Sequence, residues 1–143
     1  MATVQTGKRR ILIVDDEPAV LALLRRILST EDAEILAVRS GARALESARQ
    51  TRLDLVMLDV RLPDVSGLEV LKRVRRIDGM LPVIMITSYG SAETIRAAMR
   101  LGAFDYFTKP FDNQYVRRIA LEALTSRACR LVPSETWERV REI

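Results

Sequence analysis

Three carboxylates in this 143-residue chain lie at the ends of short apolar segments. Asp15 and Asp16 end the segment ILIVDD, and Asp59 ends DLVMLD. A continuous apolar run bounded by turn-forming residues is typical of a strand buried on both faces. A charge at the end of such a strand is costly unless it is paired or binds a metal ion. The pattern therefore predicts a site in which these carboxylates face a cation.

Two further residues with useful chemistry occupy similar positions, since Thr87 ends VIMIT and Lys109 follows GAFDYFT. Hard oxygen ligands in a chain without His favour Mg²⁺ or Mn²⁺ over zinc, and one such ion together with Lys109 balances three negative charges. The metal and the ammonium can stabilise charge on phosphoryl oxygens in a transition state. An aspartate there can itself act as the nucleophile and form an aspartyl-phosphate.

Each of these residues, taken alone, has a commoner interpretation. An Asp at a strand end is usually a turn former or a helix cap. A Thr or a Lys there usually has no chemical role. The chemistry therefore depends on a topology that brings the strand ends to one edge.

Apolar, β-branched segments alternate with amphipathic segments along the chain. The predicted strands are 10–15, 33–38, 54–59, 82–87 and 103–107, and the predicted helices are 18–29, 41–49, 66–76, 91–101 and 112–131. Five such units predict an α/β fold with a parallel sheet covered by helices on both faces. Ligands of open parallel sheets bind beyond the carboxyl ends of the strands, which is where the candidate residues lie.

Local residues support the predicted helix ends. Pro18 suits the first turn of the first helix. Ser40, Ser66 and Ser91 precede the next three helices as N-caps. Gly102 serves as the stop of the fourth helix.

The predicted fifth helix carries two apolar stripes. The first should face the sheet and consists of Val116, Ile119, Ala120 and Ala123. The second lies on another face and consists of Leu121, Leu124, Ala128 and Leu131. We expect one domain over residues 9–131, a disordered leader over 1–8, and a short helical tail or the start of a linker over 132–143.

The amino-acid composition excludes several classes of function. The hydrophobic content of 48% and the charged content of 29% are typical of a globular domain, and no apolar run is long enough to span a bilayer. The net charge of +4 comes from basic residues spread over predicted helix surfaces, so direct nucleic-acid binding is not expected. Without His, the usual zinc sites and His-dependent triads are excluded. The single Cys129 fits a reducing compartment, and we expect a cytoplasmic protein.

Four segments, ILIVDDEP, DLVMLDVRLPDVSG, VIMITSYGS and GAFDYFTKPF, occur in an order and at a spacing that resemble the receiver domain of two-component response regulators. The resemblance covers roughly residues 9–125. It implies the flavodoxin-like (βα)5 fold, a doubly wound five-stranded parallel sheet of order 2-1-3-4-5. The pattern is most similar to receivers of sigma-54-dependent, NtrC-like transcriptional activators.

The resemblance also implies roles for single residues. Asp59 is expected to be the phospho-acceptor. Asp16, Asp59 and the backbone carbonyl of Arg61 are expected to bind Mg²⁺ directly, and Asp15 through water; Mn²⁺ can substitute. Lys109 is expected to be the fixed cation beside the phosphoryl group.

The remaining implied roles concern switching and backbone shape. Thr87 is expected to move and hydrogen-bond the phosphoryl oxygen, and the rotamer of Tyr106 is expected to follow it. Tyr106 should be half-exposed and Phe107 buried, because neighbouring strand residues face opposite ways. The Lys109–Pro110 bond is expected to be cis, and Gly67 is expected to permit the turn into the third helix.

The resemblance implies a partner and an output. A sensor histidine kinase would donate the phosphoryl group, and phosphorylation would change the surface of helix 4, strand 5 and helix 5 to control an output, which the resemblance implies is transcription. A homodimer through that surface would use the second stripe, unless the tail covers the stripe through Trp137 and Val140. A further hypothesis is that Tyr89 shields the phosphoryl group from water.

Two rival functions stay open at this point. The first is a Mg²⁺-dependent phosphohydrolase with an aspartyl nucleophile, although such enzymes generally carry an acid two residues later, where Arg61 stands. The second is a protein-interaction module that ignores phosphate. No phosphate loop of the GxxxxGK type is present, so the sequence fits either a stand-alone receiver or a fragment of a longer regulator.

Overall fold

A computed structural model describes residues 7–30, 32–88 and 90–130 of the chain. Within these residues five strands alternate with five helices. The strands are β1 (Arg9–Val14), β2 (Ala33–Val38), β3 (Leu55–Asp59), β4 (Val83–Thr87) and β5 (Asp105–Thr108). The helices are α1 (Pro18–Leu28), α2 (Gly41–Gln50), α3 (Gly67–Ile77), α4 (Ala92–Arg100) and α5 (Asn113–Arg130). Every predicted element is present, with bounds that differ by at most two residues.

The five strands form one sheet in the order β2-β1-β3-β4-β5, and all neighbouring strands are parallel. This order confirms the predicted flavodoxin-like topology. All carboxyl ends of the strands therefore lie at one side of the sheet, which we call the carboxyl edge, and the strands begin at the opposite amino edge. Strands β3 and β4 are buried along their whole length because helices cover both faces of the sheet.

The core consists of two apolar layers, one on each face of the sheet. On one face, Leu24 of α1 and Val116 of α5 are completely buried against the sheet. On the other face, Leu45 of α2, Val70 of α3 and Ala98 of α4 pack against alternate residues of the same strands. Burial of this kind contributes about 25 cal/mol per Å² of apolar surface, so the two layers fix where the strand ends lie.

The helix ends follow the predicted signals. Pro18 occupies the first turn of α1. The hydroxyl groups of Ser40, Ser66 and Ser91 accept hydrogen bonds from backbone N–H groups in the first turns of α2, α3 and α4. Gly102 ends α4 with a φ of 91°, a left-handed conformation that other residues rarely adopt.

The predicted start of the fifth strand was wrong by two residues. The apolar sequence predicts that residues 103 and 104 belong to the strand, but the N–H of Ala103 donates to the carbonyl of Ala98 at 3.0 Å. The turn that ends α4 therefore continues further than the apolar sequence indicates. Within the described residues, no helix is long and apolar enough to cross a membrane.

Leu121 and Leu124, the described part of the second stripe, lie beside α1 and not on the surface of α4, β5 and α5. Leu121 is exposed and Leu124 is half-buried, and together with Ile27 and Leu28 of α1 they line a groove of about 420 Å³. Leu131 and the side chain of Ala128 lie outside the described residues. So do Tyr89, the tail over 132–143 and the leader apart from Gly7 and Lys8, and the predictions for these segments stay predictions.

Candidate functional site

Neighbouring strands bring the two acidic segments together at the carboxyl edge. Val14 of β1 pairs with Leu58 of β3, so Asp15 and Asp59 follow side by side. The N–H of Asp15 bonds the carbonyl of Val38 on β2 at 3.2 Å, which continues the strand geometry one residue further. The burial of β1 and β3 therefore gives these two carboxylates fixed positions.

Four carboxylates form one cluster at this edge. Asp15, Asp16, Glu17 and Asp59 each offer one oxygen atom, and these atoms all lie within 4.8 Å of one another. Asp15 and Asp59 are buried, whereas Asp16 and Glu17 are exposed, so the cluster has a closed side and an open side. An all-oxygen donor set with an open side fits Mg²⁺, which usually retains several waters when one or two carboxylates bind it.

The ammonium group of Lys109 lies on the closed side of the cluster. Its Nζ atom is 2.8 Å from Asp15 Oδ2, 3.1 Å from Asp59 Oδ2 and 3.2 Å from Glu17 Oε1. Burial acts to lower the pKa of Lys109, but the hydrogen bonds to Asp15 and Asp59 outweigh it and hold that pKa well above its ordinary value. Lys109 is therefore a permanent cation at physiological pH, as its predicted role requires.

Asp15 is the most deeply buried member of the cluster. Burial raises its pKa, as does the negative charge of Asp59, while the hydrogen bonds from Lys109 and from the Glu17 N–H act in the opposite direction. One ammonium group thus compensates only part of the negative charge gathered here. The remaining charge favours a divalent cation on the open side.

The turn after β3 presents backbone groups to Asp59. The N–H of Arg61 donates to Asp59 Oδ1 at 3.0 Å, and the N–H of Gly67 donates to the carbonyl of Val60 at 2.7 Å. A Cβ atom at position 67 would collide with the backbone carbonyl oxygen of Asp59. The turn can therefore close against the strand only because residue 67 is glycine, as predicted.

The open side of the cluster borders a groove of about 320 Å³. Its walls come from Asp16, Glu17 and Asp59, from the turn residues Arg61, Leu62 and Pro63, and from Ser88. Arg61 thus lies at the site, next to the carboxylate of Asp59. A small phosphorylated group can reach Asp59 through this groove.

The two predicted switch residues lie on the neighbouring strands. Thr87 ends β4 one residue after Ile86, which pairs with Asp59, and its side chain is buried. Tyr106 pairs with Met85 and is half-buried against the layer formed with α2, α3 and α4. Phe107 is buried on the other face, so the predicted orientation of both aromatic residues is confirmed. The Lys109–Pro110 peptide bond is cis, also as predicted.

Glu17 is the member of the cluster that sequence reasoning missed. The sequence pattern assigns it no role, yet its carboxylate contacts Lys109 and lies within the ligand cluster. Its place directly after Asp15 and Asp16 was the available signal, because a third consecutive acid can reach the same cation.

Comparison with known proteins assigns the family. Residues 11–120 match the model described as "Response regulator receiver domain". The chain belongs to the response regulator receiver family. It is a phospho-accepting signalling domain of the two-component type, and receiver domains bind Mg²⁺ through an acidic cluster of this kind.

Comparisons with individual proteins support the same family assignment. It is 38% identical over 108 residues to Sporulation initiation phosphotransferase F of Bacillus subtilis (strain 168), covering 76% of this chain and 87% of that protein. A receiver domain protein (CheY-like) from Methanospirillum hungatei JF-1 has a solved structure with a TM-score of 0.82 and 28% identity. That match covers 87% of this chain and 99% of the other.

A longer relative supports the predicted subgroup. The receiver is 38% identical over 119 residues to Regulatory protein AtoC of Escherichia coli (strain K12), covering 83% of this chain. The predicted likeness to receivers of NtrC-like activators is thereby confirmed. The chain spans only 26% of that relative, and between about a quarter and a half of several others.

Proposed function

We propose that Asp59 accepts a phosphoryl group from a phosphohistidine of a partner histidine kinase. A carboxylate oxygen of Asp59 forms a bond to phosphorus as the bond from phosphorus to the imidazole nitrogen breaks. That nitrogen keeps the electron pair, and a proton on the other ring nitrogen makes the leaving group a neutral imidazole. The observation that carries this proposal is the buried carboxylate of Asp59, held between Lys109 and the Arg61 N–H at the open groove.

The same site would hold Mg²⁺ through Asp16, Asp59 and the backbone carbonyl of Arg61, with Asp15 acting through water; Mn²⁺ can substitute. The bound ion would supply a positive charge that screens the carboxylates and stabilises the phosphoryl oxygens. The clustering of the carboxylate oxygens and the position of Arg61 at the groove support this assignment.

Lys109 would provide the second positive charge. It already contacts Asp59, so it can hold a phosphoryl oxygen without crossing the site. Thr87 would move toward that oxygen and donate a hydrogen bond to it from its hydroxyl group, and Tyr106 would change rotamer in response. The burial of Thr87 and the half-burial of Tyr106 on adjacent strands support a coupled movement.

The output would be a change in the surface formed by α4, β5 and α5. Met99 of α4 and Tyr115 of α5 are exposed there and offer apolar contacts for a homodimer. A role in controlling transcription is suggested by relatives such as Regulatory protein AtoC. The domain would act in the cytoplasm, without binding nucleic acid itself, and its catalysis would be limited to its own phosphotransfer and autodephosphorylation.

Intact-mass measurement with acetyl phosphate and Mg²⁺ tests the central proposal. We expect the gain of one phosphoryl group per chain, and we expect the gain to be absent in Asp59→Asn. Asp54→Asn is a matched control at the opposite end of the same strand, where an asparagine oxygen can still accept the Arg10 N–H that Asp54 accepts at 2.9 Å. It should be labelled like the wild type.

The same experiment separates the rival functions. Many turnovers of a generic phosphate ester would contradict the receiver proposal and favour the hydrolase. Failure of the wild type to gain a phosphoryl group would favour a module that ignores phosphate. Labelling that persists in Asp59→Asn would place the acceptor elsewhere.

A further inference from the structure

The segment 39–42, which comprises the turn after β2 and the first two residues of α2, contacts both loops that carry the proposed metal ligands. It provides no ligand itself. The side chain of Arg39 holds the loop after β1, and the backbone N–H groups of Gly41 and Ala42 hold the loop after β3. We propose that Arg39 and Asp64 are positioning residues that set the affinity of the site for Mg²⁺. This inference rests on the function proposed above.

Arg39 fixes the backbone of Asp16. Its Nη2 and Nε atoms donate to the carbonyl oxygen of Asp16 at 2.9 and 3.2 Å. Asp16 is exposed and follows the last buried residue of its segment, so its backbone has little other support from packing. Two donors from one planar guanidinium restrain the orientation of that peptide group more than a single donor does. The carboxylate of Asp16 is attached to the peptide that Arg39 restrains.

Asp64 fixes the loop that contains Arg61. One carboxylate oxygen accepts the N–H of Gly41 and the other accepts the N–H of Ala42, each at 2.9 Å. The first N–H groups of a helix have no partner within the helix, and Asp64 accepts the two that the Ser40 cap does not accept. These two bonds hold the pKa of Asp64 below its ordinary value, so the group is ionised at neutral pH.

Close packing secures the same contact. A Cβ atom at position 41 would collide with the side chain of Val65, the residue after Asp64. The start of α2 and the loop after β3 therefore approach each other as closely as glycine permits. Arg61 lies three residues before Asp64 in this loop, so its carbonyl is held through the anchored segment.

The two contacts together set the separation of the ligands. Asp16 and Arg61 belong to different loops, and one short turn joins both loops to the same element. Mg²⁺ demands near-ideal octahedral geometry, so a small shift of one loop against the other weakens binding. Removal of a group that orients a metal ligand typically weakens metal binding about 10–100-fold.

Direct metal binding tests the inference. We expect Arg39→Gln and Asp64→Asn each to raise the dissociation constant for Mg²⁺ alone, measured by calorimetry, by at least about 10-fold. Mn²⁺ followed by electron paramagnetic resonance gives a second readout. In phosphorylation by acetyl phosphate, the Mg²⁺ concentration for half-maximal rate should rise by the same factor, while labelling at saturating Mg²⁺ stays stoichiometric. Arg39→Lys should restore part of the affinity, because it keeps one donor.

Matched controls come from the exposed pair Arg43 and Glu46 on α2, whose charged atoms are 3.8 Å apart. Arg43→Gln and Glu46→Gln remove the same charges close by without touching either loop, and both should bind Mg²⁺ like the wild type. Equal affinity of test and control variants would overturn the inference. Loss of stoichiometric labelling at saturating Mg²⁺ would indicate general damage and would also overturn it. Failure of the wild type to bind Mg²⁺ would instead overturn the proposed metal site.

Discussion

Both edges of the sheet bury charged side chains, but the two edges balance their charges differently. At the amino edge, Arg127 donates to Asp78 at 2.6 and 3.3 Å and to the carbonyl of Leu53 at 3.1 Å. Arg75 beside it donates to the carbonyls of Leu81 and Gly102. Both guanidinium groups there have partners among the described residues, which are one carboxylate and several backbone carbonyls.

At the carboxyl edge the balance is reversed. Four carboxylates cluster there, and the ammonium of Lys109 contacts three of them, which are Asp15, Glu17 and Asp59. A buried negative charge without full compensation costs several kcal/mol of stability. Proteins retain such a charge at sites where it serves a function. Chemistry is therefore expected at the edge where carboxylates are in excess, and structural support at the edge where each cation has partners. The predictions below test this contrast.

Substitution of Lys109 should have the largest effect. Lys109→Met should lower the rate of Asp59 labelling at saturating Mg²⁺ on the order of 10²–10³-fold, because a fixed cation beside the transferred phosphoryl group is lost. Lys72→Met, an exposed lysine on α3, is the matched control and should be labelled at the rate of the wild type. Labelling of Lys109→Met at that same rate would show that the ammonium has no part in the reaction.

Mg²⁺ should stabilise the protein through the carboxyl edge alone. At one hundred times the dissociation constant, binding to the folded state should raise the free energy of unfolding by about 2.7 kcal/mol. Urea denaturation with and without Mg²⁺ measures this gain. Asp16→Asn should lose most of it, whereas Asp78→Asn at the amino edge should keep it. A gain retained by Asp16→Asn would contradict the proposed ligand set.

The fold and the position of the candidate site could be predicted from the sequence. The alternation of apolar and amphipathic segments predicts all five βα units, and the acids that end β1 and β3 predict the site. Both depend on short-range patterns: the period of a strand or helix, and the residue that follows it. The bounds of β5 were missed because the turn after α4 consists of apolar residues.

Contacts that depend on how helices and loops pack, and not on the order of the strands, could not be predicted in this way. Arg127 lies 49 residues from Asp78, and Asp64 lies 23 residues from Gly41. The sequence pattern around a charged helix residue does not show whether its side chain faces solvent or contacts the end of another element. Only the packing of α5 and α3 against the sheet shows that Arg127 is buried and that Asp78 is within its reach.

Substitution of Arg127 should affect stability and leave the chemistry intact. Arg127→Met should lower the free energy of unfolding by roughly 2 kcal/mol, below the 3–5 kcal/mol of fully buried pairs, because Asp78 stays partly exposed. The Nε atom of Arg127 is buried without a hydrogen-bond partner among the described residues, which also reduces the value of the pair. Denaturant unfolding measures the change, and Arg49→Met, an exposed arginine on α2, is the control. A lower labelling rate in the folded variant would contradict the separation of the two edges.

The smallest expected effect concerns how the free energy of unfolding depends on pH, which should differ between variants of the two edges. Partial burial acts to raise the pKa of Asp78, but the hydrogen bonds from Arg127 and the Met80 N–H outweigh it and hold that pKa below its ordinary value. Burial raises the pKa of Asp15. A carboxyl group with a lowered pKa contributes stability above its unfolded-state pKa and loses it as the pH falls through the folded-state value. A carboxyl group with a raised pKa, such as Asp15, has the opposite effect, because its ionisation lowers the free energy of unfolding as the pH rises.

Unfolding in the absence of Mg²⁺ at about pH 3 and about pH 6 measures both slopes, since these values bracket the ordinary range of a carboxyl group. Asp78→Asn should lose more stability at the higher pH, because wild-type Asp78 is ionised and paired there. Asp15→Asn should gain stability at the higher pH relative to the lower, because it removes a buried charge that Lys109 compensates only in part. The same pH dependence in both variants would mean that the two edges hold their carboxylates in the same way.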